Sequence, residues 1–159
     1  MNYVERFEKM GFGLFVHFGL YSVWKCGEWG YRYLNDEQKK EYVNETPKRF
    51  FVKEGWAKEL VKTAKETGCK YITLTTRHHD GCSLYDTCGL NKYDAPHSAC
   101  GRDLIREFVD ACNEEEIMPM LYHTLLNWQE DRLYSTIRKY QPEAMIINNT
   151  GMQEKCVRR

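Results

Sequence analysis

The sequence YITLTTRHHDG, residues 71–81, joins a short apolar run directly to two histidines and an aspartate. The run is rich in β-branched and aromatic residues, which predicts a buried strand. Imidazole and carboxyl groups need hydrogen-bond partners once they leave water, so His78, His79 and Asp80 are poor choices for a core. We therefore interpret this stretch as a strand that ends in a functional site.

Two other apolar runs end in the same way. The run FGLFV, residues 12–16, leads into His17, and IMPML, residues 117–121, leads into Tyr122 and His123. Catalytic and binding groups of (β/α) barrels collect where the carboxyl ends of several strands meet. The three strand ends therefore predict one pocket that contains histidines from each strand.

The predicted fold class is α/β, because short apolar runs alternate with segments of helical periodicity. A helix start is predicted at 35–37, with helical spacing over 56–64. Further helices are predicted from about 102–103 and over 131–140, and a fourth apolar run lies at 144–147. This pattern favours a TIM-type (β/α) barrel in one domain, residues 1–159. About four βα units are present and a complete barrel uses roughly 250 residues, so the predicted barrel is partial.

A doubly wound open sheet is the alternative arrangement of the same elements. The chain has neither a G-x-G-x-x-G nor a G-x-x-x-x-G-K-[ST] loop, so no motif favours nucleotide binding. The barrel is the better prediction, since polar residues follow several of the strands.

The overall composition limits the partners and the cellular setting that we expect. Lysine plus arginine balances aspartate plus glutamate at 23 each, so no net charge favours nucleic acid or a membrane surface. Seven cysteines, an odd number without a C-x-x-C pair, indicate reduced thiols. The first residues do not resemble a signal peptide. We expect a cytoplasmic protein that binds neither nucleic acid nor membrane.

The histidines at the strand ends suit a ligand with several hydroxyl groups. A neutral imidazole donates one hydrogen bond and accepts another, so His17, His78 and His79 together have the groups to orient a sugar. Histidines that are satisfied within the protein and bind nothing are one alternative. Metal binding by His17, His78, Asp80 and His123 is another, although the chain has no H-x-H or H-E-x-x-H spacing.

A long loop after the first strand adds aromatic residues and a carboxylate. Glu28 can accept a hydrogen bond from a sugar hydroxyl, and Trp29 can offer an apolar ring face. The alternative is an aromatic cluster that fixes the loop, which is equally consistent with Trp24, Tyr31 and Tyr33. Both interpretations stay open at this point.

These segments together resemble the α-L-fucosidases of glycoside hydrolase family 29. The matching segments, in family order, are FGLFVHFGLYSV at 12–23, GEW at 27–29, LTTRHHDG at 74–81, RDL at 102–104, YHTLLNW at 122–128 and QPEAMIINN at 141–149. They span nearly the whole chain. The double-histidine segment and the first-strand segment together are specific.

The resemblance implies a (β/α) barrel that hydrolyses terminal α-L-fucose with retention. The implied partner is a fucosylated oligosaccharide or glycoside, and no cofactor or metal is expected. It implies a structural role for Asp80. Carried over residue by residue, the implied fucose-binding residues are His17, Glu28, Trp29, His78, His79 and Tyr122.

The catalytic carboxylates implied by the family have no clear place in this sequence. Retaining hydrolysis needs a nucleophile and a general acid/base about 5–5.5 Å apart. The family nucleophile is expected between Trp128 and Gln141, but residues 129–140 read as one helix with no strand before it. The family acid/base is expected beyond Asn149, and the chain stops at Arg159. One βα unit and the catalytic pair are predicted to be missing.

Two hypotheses follow from that gap. The first is an α-L-fucosidase family member that keeps the sugar-binding half of the pocket without the catalytic residues. The second is a catalytically inactive fucose-binding or interaction module, in which a homo-oligomer or another chain covers the open barrel edges. A metal-dependent hydrolase is a third, more distant alternative.

Overall fold

The computed structural model describes residues 3–124 and 144–148, the latter for the backbone only. The strands are β1 (Gly13–Val16), β2 (Tyr71–Arg77), β3 (Met118–Thr124) and β4 (Ala144–Asn148). The helices are α1 (Tyr3–Met10), α2 (Tyr21–Trp24), α3 (Asp36–Arg49), α4 (Trp56–Glu66) and α5 (Leu104–Glu114). Two 3-10 turns lie at Gly30–Tyr33 and Ala95–His97.

The four strands form one parallel sheet in the order β1-β2-β3-β4. Val16 lies beside Leu74, Leu74 beside Leu121, and Leu121 beside Met145. Each strand therefore pairs with its predecessor in the chain, and the order contains no reversal of the kind that defines a doubly wound sheet. The predicted α/β class with a parallel sheet is confirmed, and all four predicted strands are present.

The helices that cover the sheet begin and end where the sequence indicates. In α5, Asp103 caps the first turn and accepts a hydrogen bond from the backbone N–H of Arg106 at 3.0 Å. After α4, Gly68 takes a positive φ of 86°, a conformation that glycine adopts without a Cβ penalty. The helix predicted over 131–140 lies outside the described residues.

One face of the sheet packs against α4 and α5 to form the core. Ile72, Leu74 and Leu121 are completely buried there, together with Val61 of α4 and Phe108 of α5. Burial of large aliphatic and aromatic side chains supplies about 1.5–3 kcal/mol each. This face holds the strands in register and so fixes the positions of the residues at their carboxyl ends.

The opposite face of the sheet is exposed at β1 and buried at β2 and β3, where Thr73 and Met120 have almost no exposed surface. By register it carries Phe15 of β1, Thr73 of β2 and Met120 of β3. Phe15 is 48% exposed. Its ring lies 5.6 Å from the ring of Tyr122 and approaches it edge-on. An exposed phenylalanine in a sheet otherwise buried on its far side leaves an apolar surface on this face.

A β-bulge interrupts the pairing of β2 with β3 directly before the double histidine. Thr75 pairs with Tyr122 and Arg77 with His123, so Thr76 is the extra residue. Its hydroxyl donates a hydrogen bond to the carbonyl oxygen of Tyr122 at 2.8 Å. Bulges re-aim the side chains that follow them, and here those side chains are the two histidines.

Four short elements were not predicted from the sequence. They are the N-terminal helix α1, the helix α2 and the 3-10 turn Gly30–Tyr33 within the predicted aromatic loop at 18–33, and the 3-10 turn Ala95–His97 in the long loop before α5. Helices this short carry too few residues for a clear periodic signal. No helix among the described residues is long and apolar enough to cross a membrane.

Candidate functional site

Five aromatic and imidazole rings meet at the carboxyl ends of β1, β2 and β3. The ring centroids of His17 and His78 are 5.5 Å apart, and those of His17 and Tyr122 are 5.9 Å apart. His78 stacks on Tyr122 at 5.8 Å with an angle of 16° between the planes. Trp29 lies 5.2 Å from His79 and 6.4 Å from His78. We call this group, His17, Trp29, His78, His79 and Tyr122, the ring pocket.

Glu28 lies at the edge of the ring pocket through its backbone. The imidazole of His78 makes a hydrogen bond to the backbone of Glu28. The Glu28 side chain is partly exposed. The structure thus brings together all six residues predicted to bind the sugar, from three strand ends and one loop, while their role stays a prediction.

The two adjacent histidines are held in different ways. His79 is completely buried, and its Nδ1 lies 2.7 Å from the hydroxyl of Thr124 at the end of β3. That contact fixes the orientation of the ring and leaves Nε2 on the other side. His78 is 3% exposed, and its buried Nδ1 has no hydrogen-bond partner among the described residues.

His78 is a neutral imidazole at physiological pH. Burial lowers the pKa of His78 to about 3, and the neighbouring His79 and His17 act in the same direction. A neutral ring keeps one donor and one acceptor nitrogen, which is what recognition of an uncharged hydroxyl ligand needs. The unpartnered nitrogen of His78 is the group most in need of such a partner, because an unmade buried hydrogen bond is costly.

The expectation that His123 joins the same pocket is wrong. Neighbouring residues on a strand point to opposite faces, so Tyr122 faces the pocket and His123 faces the helices. His123 is 2% exposed, its ring lies 6.2 Å from that of Tyr85, and its Nδ1 lies 3.4 Å from the Thr76 hydroxyl. Burial and the charge of Arg77 lower the pKa of His123 to about 3. His123 is a core histidine.

The donors considered for a metal site do not converge. Asp80 is buried and its Oδ2 accepts a hydrogen bond from the Tyr42 hydroxyl at 2.6 Å, while His123 lies on the other face of the sheet. Within residues 3–124, no three histidine, cysteine, aspartate or glutamate side chains are arranged to hold a metal ion.

Two of the aromatic residues in the loop have packing roles. The rings of Trp24 and Tyr31 lie 5.6 Å and 5.1 Å from the ring of Tyr42 on α3. Tyr33, in contrast, is 80% exposed. The alternative of an aromatic cluster that fixes the loop therefore holds for Trp24 and Tyr31, whereas Trp29 turns towards the histidines.

Tyr21 is a residue of the site that the sequence did not indicate. Its ring approaches His78 edge-on at 6.0 Å, and its hydroxyl lies 3.1 Å from the hydroxyl of Thr75. Thr75 also donates to the carbonyl oxygen of Phe18 at 3.0 Å. Tyr21 lies on the short helix α2, where no periodic pattern reveals which side chains face the pocket.

The long loop between β2 and α5 is organised around a buried aspartate. Asp94 accepts hydrogen bonds from the Thr87 hydroxyl at 2.7 Å and from the backbone N–H of His97 at 3.1 Å. The His97 Nδ1 lies 2.6 Å from the same carboxylate. His97, to which the sequence assigned no role, therefore helps to hold this loop.

Comparison with known proteins gives one consistent family. Residues 1–154 match the family model for alpha-L-fucosidase. Tissue alpha-L-fucosidase of Rattus norvegicus is 34% identical over 140 residues, which are 77% of this chain and 29% of that protein. Plasma alpha-L-fucosidase of the same species is 26% identical over 186 residues, which cover 91% of this chain and 40% of that protein.

Solved structures agree with the sequence matches. Alpha-L-fucosidase isoenzyme 1 from Paenibacillus thiaminolyticus superposes with a TM-score of 0.71 at 30% identity, over 87% of this chain and 34% of that one. A bacterial fucosidase crystallised with a monovalent iminocyclitol inhibitor gives a TM-score of 0.70 at 26% identity, over 83% of this chain and 33% of that one.

The matched region is a minor part of each relative. This chain spans between 29% and 40% of the length of the two rat proteins. Its own length is nevertheless covered almost completely, because the family model extends over residues 1–154. The ring pocket, the parallel sheet and these matches agree, and the chain belongs to the alpha-L-fucosidase family.

Proposed function

We propose that the ring pocket binds the terminal α-L-fucose unit of a fucosylated oligosaccharide or glycoside. The observation that carries this proposal is the buried Nδ1 of His78, which lacks a partner among the described residues and belongs to a neutral ring. A sugar hydroxyl satisfies that nitrogen, and the ring of Trp29 supplies an apolar face for the sugar. The iminocyclitol bound by one relative supports a pocket suited to a sugar-shaped ring.

We also propose that the sheet is half of a (β/α) barrel. Four parallel strands in chain order form the arrangement that eight such units close into a barrel. The partly exposed Phe15 then lies on the barrel interior, where side chains of the remaining strands would cover it. The superposition on family members over 87% of this chain supports this arrangement.

We infer that this chain binds the sugar without hydrolysing it. Retention requires two carboxyl groups about 5–5.5 Å apart across the scissile bond. Asp80 is committed to Tyr42, and Glu28 reaches the ring pocket by its backbone. The match to the rat plasma enzyme is 186 residues long, more than this whole chain of 159, so the relative carries residues that have no counterpart here.

The position of β4 supports a missing βα unit in that interval. The resemblance places the family's nucleophile strand between the segments at 122–128 and 141–149. In the structure, β4 from the second segment pairs directly with β3 from the first, with Leu121 beside Met145. Residues 125–143, where a nucleophile strand is sought, lie outside the described part of the chain.

Titration calorimetry with L-fucose tests the binding proposal. We expect saturable heat for the 159-residue chain and at least a tenfold weaker affinity for the His78→Ala variant, since a lost hydrogen bond in a pocket costs about 1.5 kcal/mol or more. His97→Ala removes a histidine away from the ring pocket and serves as the matched control. D-fucose, the mirror-image sugar, controls for non-specific heat. No heat with L-fucose, or equal affinity of the His78→Ala variant, contradicts the proposal.

A second candidate function is an interaction module that uses the open side of the sheet. The observation that favours it is the exposed Phe15 on β1, a strand that pairs with β2 alone among the described strands. We propose a second copy of this chain as the occupant. Two copies related by a two-fold axis along the barrel would place β4 of each beside β1 of the other, so all eight strands stay parallel.

A further inference from the structure

Helix α3 places one fully buried tyrosine behind the double histidine. The Tyr42 side chain has no exposed surface, and its hydroxyl donates a hydrogen bond to Asp80 Oδ2 at 2.6 Å. The other carboxylate oxygen of Asp80 accepts the backbone N–H of Cys82 at 3.3 Å. Asp80 follows His79 directly, and the turn is closed by the backbone N–H of Gly81, which donates to the carbonyl oxygen of His78 at 3.0 Å.

The same face of α3 also holds the aromatic loop. The Tyr42 ring lies 5.1 Å from Tyr31 and 5.6 Å from Trp24. One helical turn after Tyr42, the hydroxyl of Thr46 accepts a hydrogen bond from Trp24 Nε1 at 2.6 Å. Lys39, one turn before Tyr42, lies 6.0 Å above the ring of Tyr31. Three successive positions on one helix face therefore contact the loop.

We propose that Tyr42 and Asp80 are positioning residues for the ring pocket, and that their hydrogen bond ties the double-histidine turn to the aromatic loop. Asp80 adjoins His79, and Tyr31 lies two residues after Trp29 on the loop. Tyr42 contacts both segments, so it sets the distance at which Trp29 meets His79. The proposal rests on the proposed function, because it concerns the placement of groups that bind the sugar.

The charge on Asp80 makes this link sensitive to pH. Burial raises the pKa of Asp80 to about 6, although the hydrogen bonds from Tyr42 and from the Cys82 backbone, and the charge of Arg77, oppose that rise. The ionised carboxylate accepts both hydrogen bonds at full strength, whereas a proton on one oxygen removes an acceptor. The link therefore weakens as the pH falls through about 6.

Several ionisable groups face Asp80 from the surrounding elements. They are Arg77 of β2, Tyr42 of α3, Tyr21 of α2, Tyr31 of the 3-10 turn, and Cys26 and Cys82 of the two loops. Arg77 is the cation among them, and its charge favours the ionised carboxylate. His78 stays neutral throughout the range from pH 5 to pH 8, because its pKa is about 3.

The Tyr42→Phe variant isolates the hydrogen bond, since it keeps the ring that packs on Trp24 and Tyr31. We expect its affinity for L-fucose to be about five- to tenfold weaker at neutral pH. We also expect the midpoint of the pH dependence of binding to move upwards, because the lost donor favoured the ionised Asp80. Tyr33→Phe removes a hydroxyl from an 80% exposed tyrosine and is expected to change neither quantity.

A measurement without sugar separates this proposal from the proposed function. The ring nitrogens of His78 and His79, observed by NMR between about pH 5 and pH 8, should respond to a titration near pH 6 in the wild-type chain. The midpoint pH of this response should rise in Tyr42→Phe. The response should disappear in Asp80→Asn, which keeps the size of the side chain. Both variants are made in a His17→Gln background, because the His17 ring lies 5.5 Å from that of His78, and a response that persists there in Asp80→Asn overturns the proposal.

The two experiments distinguish failure of the proposed function from failure of the positioning link. If the wild-type chain binds no L-fucose while the ring signals follow Asp80, the proposed function fails and the positioning link stands. If L-fucose binds but Tyr42→Phe has the wild-type affinity and the same pH midpoint, the positioning link is overturned and the proposed function stands. Should Tyr42→Phe unfold, Asp80→Asn carries the same comparison, with loss of the pH response expected.

Discussion

Two neighbouring histidines of the ring pocket, His78 and His79, differ in how the protein holds them. His79 is oriented by the Thr124 hydroxyl at 2.7 Å, so its ring is fixed before any ligand arrives. His78 makes a hydrogen bond to the Glu28 backbone, and its Nδ1 has no hydrogen-bond partner among the described residues. Fixed donors and acceptors reduce the ordering cost of binding, which favours affinity for a small polar ligand. The pair thus combines one rigid ring with one ring that needs a ligand.

We expect the chain to lose stability in acid, because the fold buries two neutral histidines. The pKa values of His78 and His123 are about 3 in the fold and 6.5 ordinarily, so the unfolded chain binds protons first as the pH falls. Their contribution is complete above pH 6.5 and decreases below it. Asp80, with a raised pKa of about 6, opposes this in part. From about pH 7.5 to pH 5 we expect a net loss of about 2–3 kcal/mol.

Urea unfolding followed by tryptophan fluorescence at both pH values measures this loss. A His123→Gln variant should show a smaller change between the two pH values, because one of the two buried imidazoles is removed. Tyr33→Phe, at a residue that is 80% exposed, is the control and should keep the wild-type change. A free energy of unfolding that is equal or greater at pH 5 contradicts the assignment of neutral buried rings.

The residues of the pocket differ in how far the sequence reveals them. His17, His78 and Tyr122 follow apolar runs, so a local pattern is enough to find them. The position of His123 outside the pocket also follows from a local pattern, because side-chain alternation along a strand places Tyr122 and His123 on opposite faces. Tyr42, in contrast, contacts Asp80 across 38 residues of sequence, and no local pattern indicates that pairing.

At the scale of elements, the carboxyl ends of β1, β2 and β3 form the ring pocket. The outer edge of β1 is a separate surface. β1 pairs with β2 and with no other described strand. Its Phe15 exposes 48% of its surface on the open face of the sheet. An unpaired parallel edge beside an apolar face favours association with another sheet.

Association through this edge gives a prediction about oligomeric state. Size-exclusion chromatography with light scattering should show a dimer of the 159-residue chain, since two open sheet faces cover each other. Phe15→Asp places a charge on the apolar face and should yield a monomer. Phe51→Asp changes a phenylalanine that is 76% exposed elsewhere and should leave the dimer intact. A wild-type monomer at the concentrations used for calorimetry contradicts the proposal of a second copy.

Helices and strands are predictable from the sequence where neighbouring residues determine them. The loops, which depend on contacts between distant residues, are not. Helix α5 begins at Asp103 because that side chain caps it, and the cap is visible in the sequence. The loop of residues 81–103 depends on Asp94, whose partners Thr87 and His97 carry no common pattern. The helix α1 was missed for a related reason, since eight residues provide only about two turns of periodicity.

For the molecule as a whole, the described residues form a parallel α/β sheet with a cluster of rings at the carboxyl ends of its strands. The parallel sheet keeps chain order, and the ring pocket lies at the end of the sheet where (β/α) barrels bind their ligands. The proposed function separates recognition of fucose from cleavage of its glycosidic bond.

Calorimetry with a nitrophenyl α-L-fucoside, with absorbance read on the same sample, tests both properties at once. We expect a saturable heat of binding and no release of nitrophenol above the rate in buffer, because the proposed function gives the ring pocket a sugar-binding role without the pair of carboxyl groups that retaining hydrolysis needs. Absence of binding heat would contradict the sugar pocket. Steady release of nitrophenol by the purified 159-residue chain, lost in His78→Ala, would contradict the inference that this chain binds fucose without cleaving it.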